Sequence, residues 1–204
     1  MKMKPQSHIQ SLINLLSNKN NIVIEKDKRT ISFERLTVSV CFILHKGNIA
    51  AFRPDDQLLM RYASAPIIIG INEFIDFNHQ FIIQANGEIA YELIPLEEVM
   101  KRVESLNLWE NLSYILMYNM KLMVNDHSKA VGRGTYEIIR SSIIELMAQT
   151  DDIKTKINAC DYIQSRTNIS RSRIMSILKD LKEGGYIDIE KGRLININQL
   201  PLKY

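Results

Sequence analysis

The sequence predicts an α+β protein in three parts: an amino-terminal antiparallel β-roll (jelly roll), a long connecting helix and a carboxyl-terminal winged helix-turn-helix. Three observations predict it. Residues 22–93 hold short β-rich runs separated by turn signals. Residues 106–126 are apolar around most of a helical circumference, and residues 158–199 read in order as helix, turn, helix and hairpin. The boundaries fall at 1–105, 106–127 and 128–204.

The first element is a short helix over residues 7–17, where Ile9, Leu12, Ile13 and Leu16 share one face. Eight strand-like runs follow: 22–25, 30–33, 37–45, 48–52, 58–62, 67–69, 81–84 and 88–93. Asp27-Lys28, Lys46-Gly47, Arg53-Pro54-Asp55-Asp56, Ala65-Pro66 and Asn86-Gly87 separate them, the last being a strong two-residue hairpin signal. Strands of this length and spacing suit a small antiparallel barrel or jelly roll rather than a βαβ sheet.

Pro95 opens a short helix through Val103, as proline can at a first helical position. The longer helix from about Leu106 to Asp126 has more apolar surface than one contact needs. It has two readings. In one, Leu108, Leu112, Ile115, Asn119 and Leu122 form a seam with a second copy, with Asn119 setting the register. In the other, the helix is buried within its own subunit. Two-fold DNA sites reward dimers, which favours the first. Ser128 to Gly134 contains two glycines and marks a boundary. Thr135 is expected to cap the next helix, with Ile139, Ile143 and Leu146 or Met147 facing inward, and residues 154–157 to add a strand.

In the terminal stretch, Asn158 caps a helix to about Arg166, and Thr167-Asn168-Ile169 breaks it, Asn168 being suited to a left-handed turn. Ser170 caps a second helix whose Ile174, Ile177, Leu178 and Leu181 follow the i, i+3, i+4, i+7 spacing. Gly184-Gly185 ends it. Ile187 and Ile189, a Lys191-Gly192 turn, and Ile195 and Ile197 then make the hairpin.

With the Ile/Leu stripe inward, Ser172, Met175, Ser176 and Lys179 point outward beside Arg171 and Arg173. Such a helix fits the major groove of double-stranded DNA, and an arginine fork can give two hydrogen bonds to guanine O6 and N7. The expected contacts are Ser170, Arg171, Ser172, Ser176 and Lys179 on the helix, Arg173 on a phosphate, and Lys191 and Arg193 on the wing. Gln164 stands where such motifs usually keep a small residue for close helix packing.

Hydrophobic residues make up 46% of the 204 and charged residues 24%, which is ordinary for a globular chain and argues against disorder. No apolar run approaches a membrane span, and MKMKPQSHIQ lacks a signal-peptide core, so a cytosolic location away from membranes is expected. Residues 1–127 hold 13 Lys+Arg and 14 Asp+Glu, whereas residues 128–204 hold 13 and 9. A neutral part joined to a basic one suits a DNA-binding module on a non-binding partner domain. Cys41 and Cys160 are too few for a disulfide framework or a zinc site. Cys160, early in a helix, is either a packed thiol or a redox-sensitive one. His8, His45, His79 and His127 show no metal-ligand spacing, and no metal or other cofactor is expected.

The order roll, long helix, hinge and winged helix resembles the CRP/FNR superfamily of bacterial transcription regulators over nearly the whole length. His45-Lys46-Gly47-Asn48 is similar to the lysine-glycine turn of its cyclic-nucleotide-binding domain. Gly70-Ile71-Asn72-Glu73 is similar to the phosphate cassette, and Ile169-Ser170-Arg171-Ser172-Arg173-Ile174 to the recognition-helix start. Asp161-Tyr162-Ile163, Arg166-Thr167, Tyr186-Ile187 and Leu200-Pro201 resemble the enterobacterial IprA (YaiV) group.

The resemblance implies transcriptional control, of stress responses in that group, with RNA polymerase as a further partner. It also implies that any small-molecule effector is lined by Gly70, Asn72, Glu73, His79 and Gln80; the alternative is a roll with no ligand. Cyclic-nucleotide-binding members follow the cassette with an arginine and a hydroxyl residue. Here the stretch is Phe74-Ile75-Asp76-Phe77-Asn78-His79-Gln80, so cAMP would lack a charged partner. The reading is a homodimeric DNA-binding regulator; a competing one makes the winged helix a protein-contact module in an adaptor or anti-regulator. No nucleophile-base pair, Walker glycines or metal spacing supports an enzyme.

Overall fold

A computed structural model describes residues 4–33, 36–71, 82–130 and 132–203. It divides into two compact units, residues 1–124 and 125–204. The first contains α1 (Gln6–Leu16), a one-turn 3-10 helix (Lys19–Asn21), β1 (Val23–Glu25), β2 (Thr30–Ser32), β3 (Val40–Phe52), β4 (Leu59–Ser64), β5 (Ile67–Ile69), β6 (Ile82–Pro95), α2 (Leu96–Ser105) and most of α3 (Trp109–Ala130).

Among the described residues, six strands form one antiparallel sheet in the order β1-β6-β3-β4, with β2 also on β6 and β5 on β3. Its frame is the long pair β3 and β6, which runs from Val40 opposite Pro95 to Phe52 opposite Ile82. Two expected turns are therefore not turns. Lys46-Gly47 lies within β3 and Asn86-Gly87 within β6, and Asn48 stands opposite Asn86. The register slips on either side of Lys46, and Gly47 and Gly87 take φ of +91° and +85°. A positive-φ glycine serves a bulge in a continuous strand as well as it serves a hairpin. The eight expected runs merge accordingly. The Arg53–Asp56 and Ala65-Pro66 turns stand where expected.

Side chains alternate across the pleat, so β3 supplies two cores. Cys41 and Ile43 join Ile9, Leu12, Ile13 and Leu16 of α1, Val99 and Val103 of α2, and Leu112 and Ile115 of α3. Val40, Phe42 and Leu44 join Ile49, Ile83, Ile89 and Tyr91 on the other face. The four positions expected to anchor α1 are the four it buries. Pro95 ends β6 and occupies the N-cap position of α2, one residue earlier than expected.

Three of the five residues expected to form an intermolecular seam are turned into their own unit instead. Leu108, Leu112 and Ile115 are buried in their own unit, packed with α1, α2 and the sheet, while Asn119 and Leu122 on the same face are half-buried. Periodicity shows that a face is apolar without showing what covers it. A Leu112→Ala substitution, at 2% exposure, should therefore cost about 2–5 kcal/mol of stability in urea unfolding. It should leave the oligomeric state unchanged; dissociation at unaltered stability would restore the seam.

Glu92 is a buried carboxylate on the helix-facing side of β6. The Ser17 hydroxyl donates to it at 2.6 Å, the Asn18 N–H donates at 2.9 Å, and His45 Nε2 lies 3.4 Å away. These contacts tie the end of α1 to the sheet and satisfy a group that would be costly to bury alone.

The second unit holds α4 (Thr135–Met147), α5 (Asp151–Lys154), α6 (Ala159–Arg166), α7 (Arg171–Glu183), β7 (Ile187–Glu190) and β8 (Arg193–Ile197). α4 contacts α6 and β8, α6 contacts α7, and α7 contacts β7. Ile139, Ile143 and Leu146 are buried as expected, and Met147 is half-buried. Gly134, not Thr135, is the N-cap of α4, and its N–H donates to Glu137 Oε2 at 2.8 Å. The strand expected at 154–157 is not formed: Lys154 ends the short helix α5, and residues 155–157 make a turn. There the Thr155 hydroxyl bonds to the Asp151 carbonyl at 2.5 Å and Lys154 pairs with Asp151 at 2.7 Å, contacts that only a helical turn brings together. α3 also runs to Ala130, past its expected end near Asp126.

Candidate nucleic-acid interface

The interface is built on α6, α7 and the β7–β8 hairpin. Asn158 Oδ1 accepts from the N–H groups of Cys160 at 2.9 Å and Asp161 at 3.4 Å, starting α6 where its sequence predicts. Ala159, Cys160, Tyr162 and Ile163 are buried, while Gln164 is exposed. The small residues thus sit at 159 and 160, and Gln164 does not intrude on helix packing. The chain leaves α6 through Thr167, extended at φ −140° and ψ 158°. Its hydroxyl donates to the Ile163 carbonyl at 2.9 Å and accepts from the Ile169 N–H at 3.4 Å. Asn168 does not take the expected left-handed conformation. The threonine hydroxyl makes the turn by local side-chain bonding instead.

Ser170 caps α7, accepting from the Arg173 N–H at 3.4 Å. Ile174, Ile177, Leu178 and Leu181 are its buried residues, as the spacing predicts. Arg171, Ser172, Arg173, Met175, Ser176 and Lys179 are exposed. The exposed Ser170 hydroxyl is already engaged as the cap and lies 3.2 Å from that of Ser172. Lys179 lies 3.7 Å from Glu183, an exposed pair that contributes little to stability. Arg171 Nη1 meets Asp161 Oδ1 at 2.5 Å and Gln164 Oε1 at 3.4 Å. Sequence reasoning missed both partners; their i, i+3 spacing on α6 is the signal that places them on one side of that helix.

α7 ends at Gly184, with Gly185 at φ +70° and the Tyr186 N–H bonded to the Leu181 carbonyl at 2.9 Å. The hairpin turns at Lys191-Gly192, both at positive φ, as a two-residue primed turn requires. The Ala159 N–H donates to the Gly192 carbonyl at 2.8 Å, which pins the wing turn to the start of α6. Lys191 and Arg193 are exposed beside it. One strand expectation changes. A register slip between Asp188 and Ile189 puts Leu194 opposite Ile189, so Leu194 is buried at 3% exposure and Ile195 faces solvent at 49%.

Burial pushes the Cys160 thiol up, only partly offset by the nearby Arg171 charge. Of the two readings of Cys160, its burial at 2% exposure suits the packed thiol. Of the five residues expected to line an effector pocket, Gly70 is buried at φ +90°, with a Cβ there falling 2.4 Å from the Val40 carbonyl. Asn72, Glu73, His79 and Gln80 lie outside the described residues. Among the described residues, no helix is long and apolar enough to cross a membrane.

The family described as winged helix-turn-helix DNA binding matches residues 135–202, the stretch from α4 through the hairpin. The c-di-GMP-responsive global regulator CLP of Xanthomonas campestris superposes with a TM-score of 0.74 at 12% identity, over 95% of this chain and 100% of that one. A CooA mutant from Carboxydothermus hydrogenoformans gives 0.62 at 15% identity, over 91% and 90%. The chain thus shares its fold with these two proteins, and its second unit carries a winged helix-turn-helix of the DNA-binding kind. In sequence it is similar to the inhibitor of hydrogen peroxide resistance. It is 28% identical to that of Escherichia coli K12 over 166 residues, covering 80% of this chain and 79% of that protein. To that of Salmonella typhimurium LT2 it is 27% identical over 165 residues.

Proposed function

We propose that the protein is a dimeric, sequence-specific DNA-binding regulator of transcription that does not respond to cAMP and acts in an oxidative-stress response. One observation carries the DNA reading: α7 turns its isoleucine-leucine stripe inward and leaves Arg171, Ser172, Met175, Ser176 and Lys179 on its open side. The wing basic residues Lys191 and Arg193 are exposed nearby in the same unit. The stress link rests on likeness to the inhibitor of hydrogen peroxide resistance. Whether RNA polymerase is recruited or blocked depends on where the site lies relative to a promoter.

The test is affinity for duplexes enriched from a random pool. Arg171→Ala should weaken binding to the enriched site by ~1–3 kcal/mol. Binding of the wild-type chain should fall steeply as salt rises, through counterion release. An adaptor using the winged helix for protein contacts would enrich no sequence and show no such slope.

The cAMP reading rests on Gly70-Ile71-Asn72-Glu73 being followed by no arginine-hydroxyl pair. A cyclic phosphate there would be left without a charged hydrogen-bond partner. Calorimetric titration with cAMP should give no heat of binding at micromolar concentrations, and a saturable isotherm in that range would overturn this part of the reading.

Dimerisation is assigned to the outward face of α3. Met117, Met120 and Val124, 57%, 63% and 58% exposed, follow i, i+3, i+7 spacing, and Trp109 and Met123 are also exposed. Such an apolar helix face suits a second copy, and a two-fold DNA site gives that copy a use.

A further inference from the structure

We infer that Asp161, with Gln164 behind it, is the positioning residue that sets the Arg171 guanidinium for reading a guanine, so that base discrimination by α7 depends on a carboxylate on the preceding helix. The inference rests on the DNA-binding reading above and extends it to how the reader is held. Nothing in the residue types alone selects Asp161. An acidic residue on a helix expected to cross the DNA backbone is unfavourable for binding, because it faces phosphates.

The geometry gives it a use. The carboxylate and the Gln164 amide oxygen both meet Nη1, at 2.5 and 3.4 Å. Neither contact uses Nε or Nη2, which lie together on the other edge of the planar group. That edge carries two parallel N–H donors, the pattern that guanine O6 and N7 accept. A free arginine side chain would have to be ordered when it binds, at a cost of rotamer entropy, whereas one already held at Nη1 loses less. The Arg171 and Asp161 side chains are 54% and 58% exposed, so the pair is open to solvent and adds little to fold stability. What it supplies is direction. The Arg171 charge also offsets the carboxylate, limiting the repulsion that a lone Asp161 would exert on a phosphate.

The test uses the full-length chain, a guanine-containing duplex enriched by the wild type, the same duplex with 7-deazaguanine at the enriched guanine, and an unrelated duplex. Wild type should bind the 7-deaza duplex about tenfold more weakly, through loss of the N7 acceptor. Asp161→Ala should lose about tenfold in affinity for the enriched duplex, become insensitive to the 7-deaza change, and bind the unrelated duplex at least as tightly as wild type. Asp161→Asn, which keeps an acceptor oxygen, should restore most of the sensitivity. In an Arg171→Ala background, Asp161→Ala should have no further effect on discrimination. Circular dichroism melting checks that each variant is folded.

If Asp161→Ala tightens binding to all duplexes alike and keeps the 7-deaza sensitivity, the pair merely competes with DNA and the positioning role is overturned. If Arg171→Ala leaves the enriched duplex bound as before, the DNA-reading assignment of Arg171 fails, and this inference fails with it. The two failures appear in different variants and are read separately.

Discussion

Met120→Glu should convert the protein from dimer to monomer in sedimentation velocity and lower its affinity for a two-fold DNA site by roughly 10²–10⁴-fold. The size of the effect comes from linkage rather than from the methionine itself. Two recognition helices joined through one dimer bind the second half-site as an intramolecular event, and separating the copies removes that gain while each half-site contact survives. Met120 is the position to test because it lies centrally in the exposed Met117, Met120, Val124 row on α3. A carboxylate there would face its symmetry mate across a closed interface and have to be desolvated. Leu202→Glu, at a residue 82% exposed and far along the chain, serves as the control for added charge. Unchanged sedimentation and unchanged DNA affinity in Met120→Glu would remove this face from the assembly.

Gly47→Ala should destabilise the first unit by at least ~3 kcal/mol, seen as a lowered urea midpoint, whereas Gly87→Ala should cost only about 1–2 kcal/mol. Both glycines hold positive φ within the β3–β6 pair. An L-residue is strained at either position, and this accounts for the common part of the cost. The difference is steric. A Cβ at position 47 would lie 2.4 Å from the Glu88 carbonyl oxygen and 3.1 Å from the Ile89 Cα, backbone atoms that can retreat only by parting the two strands. At position 87 a Cβ meets nothing within 4 Å. Equal costs at the two sites would show that the strands do not approach as closely at Gly47 as they do here.

These predictions separate what residue order carries from what it does not. The stripe Ile174, Ile177, Leu178, Leu181 required α7 to bury one side, and its open side followed with no further information. α1 was equally legible, because four apolar residues at helical spacing among polar neighbours admit one inward face. Gly47 and Gly87 were legible as positive-φ positions but not as bulges. A hairpin turn and a bulge make the same local demand on the backbone and differ only in what lies across the strand.

The harder cases concern partners. On α3 the Leu112, Ile115 face and the Met117, Met120, Val124 face are both apolar in sequence, and packing against α1, α2 and the sheet decided which is internal. Likewise Glu92 became a satisfied buried carboxylate only when the end of α1 reached it, across more than seventy residues of chain.

By itself, then, the sequence determined the order of a β-rich part, a long helix and a helix-turn-helix with hairpin, and the buried faces of α1 and α7, since helix and strand periods are local properties set by neighbouring residues. Only the tertiary structure decided what covers each apolar face and where Arg171 finds its acceptors. Those depend on how separate segments, near or far in the chain, pack against one another, and a pairing across space has no period along the chain.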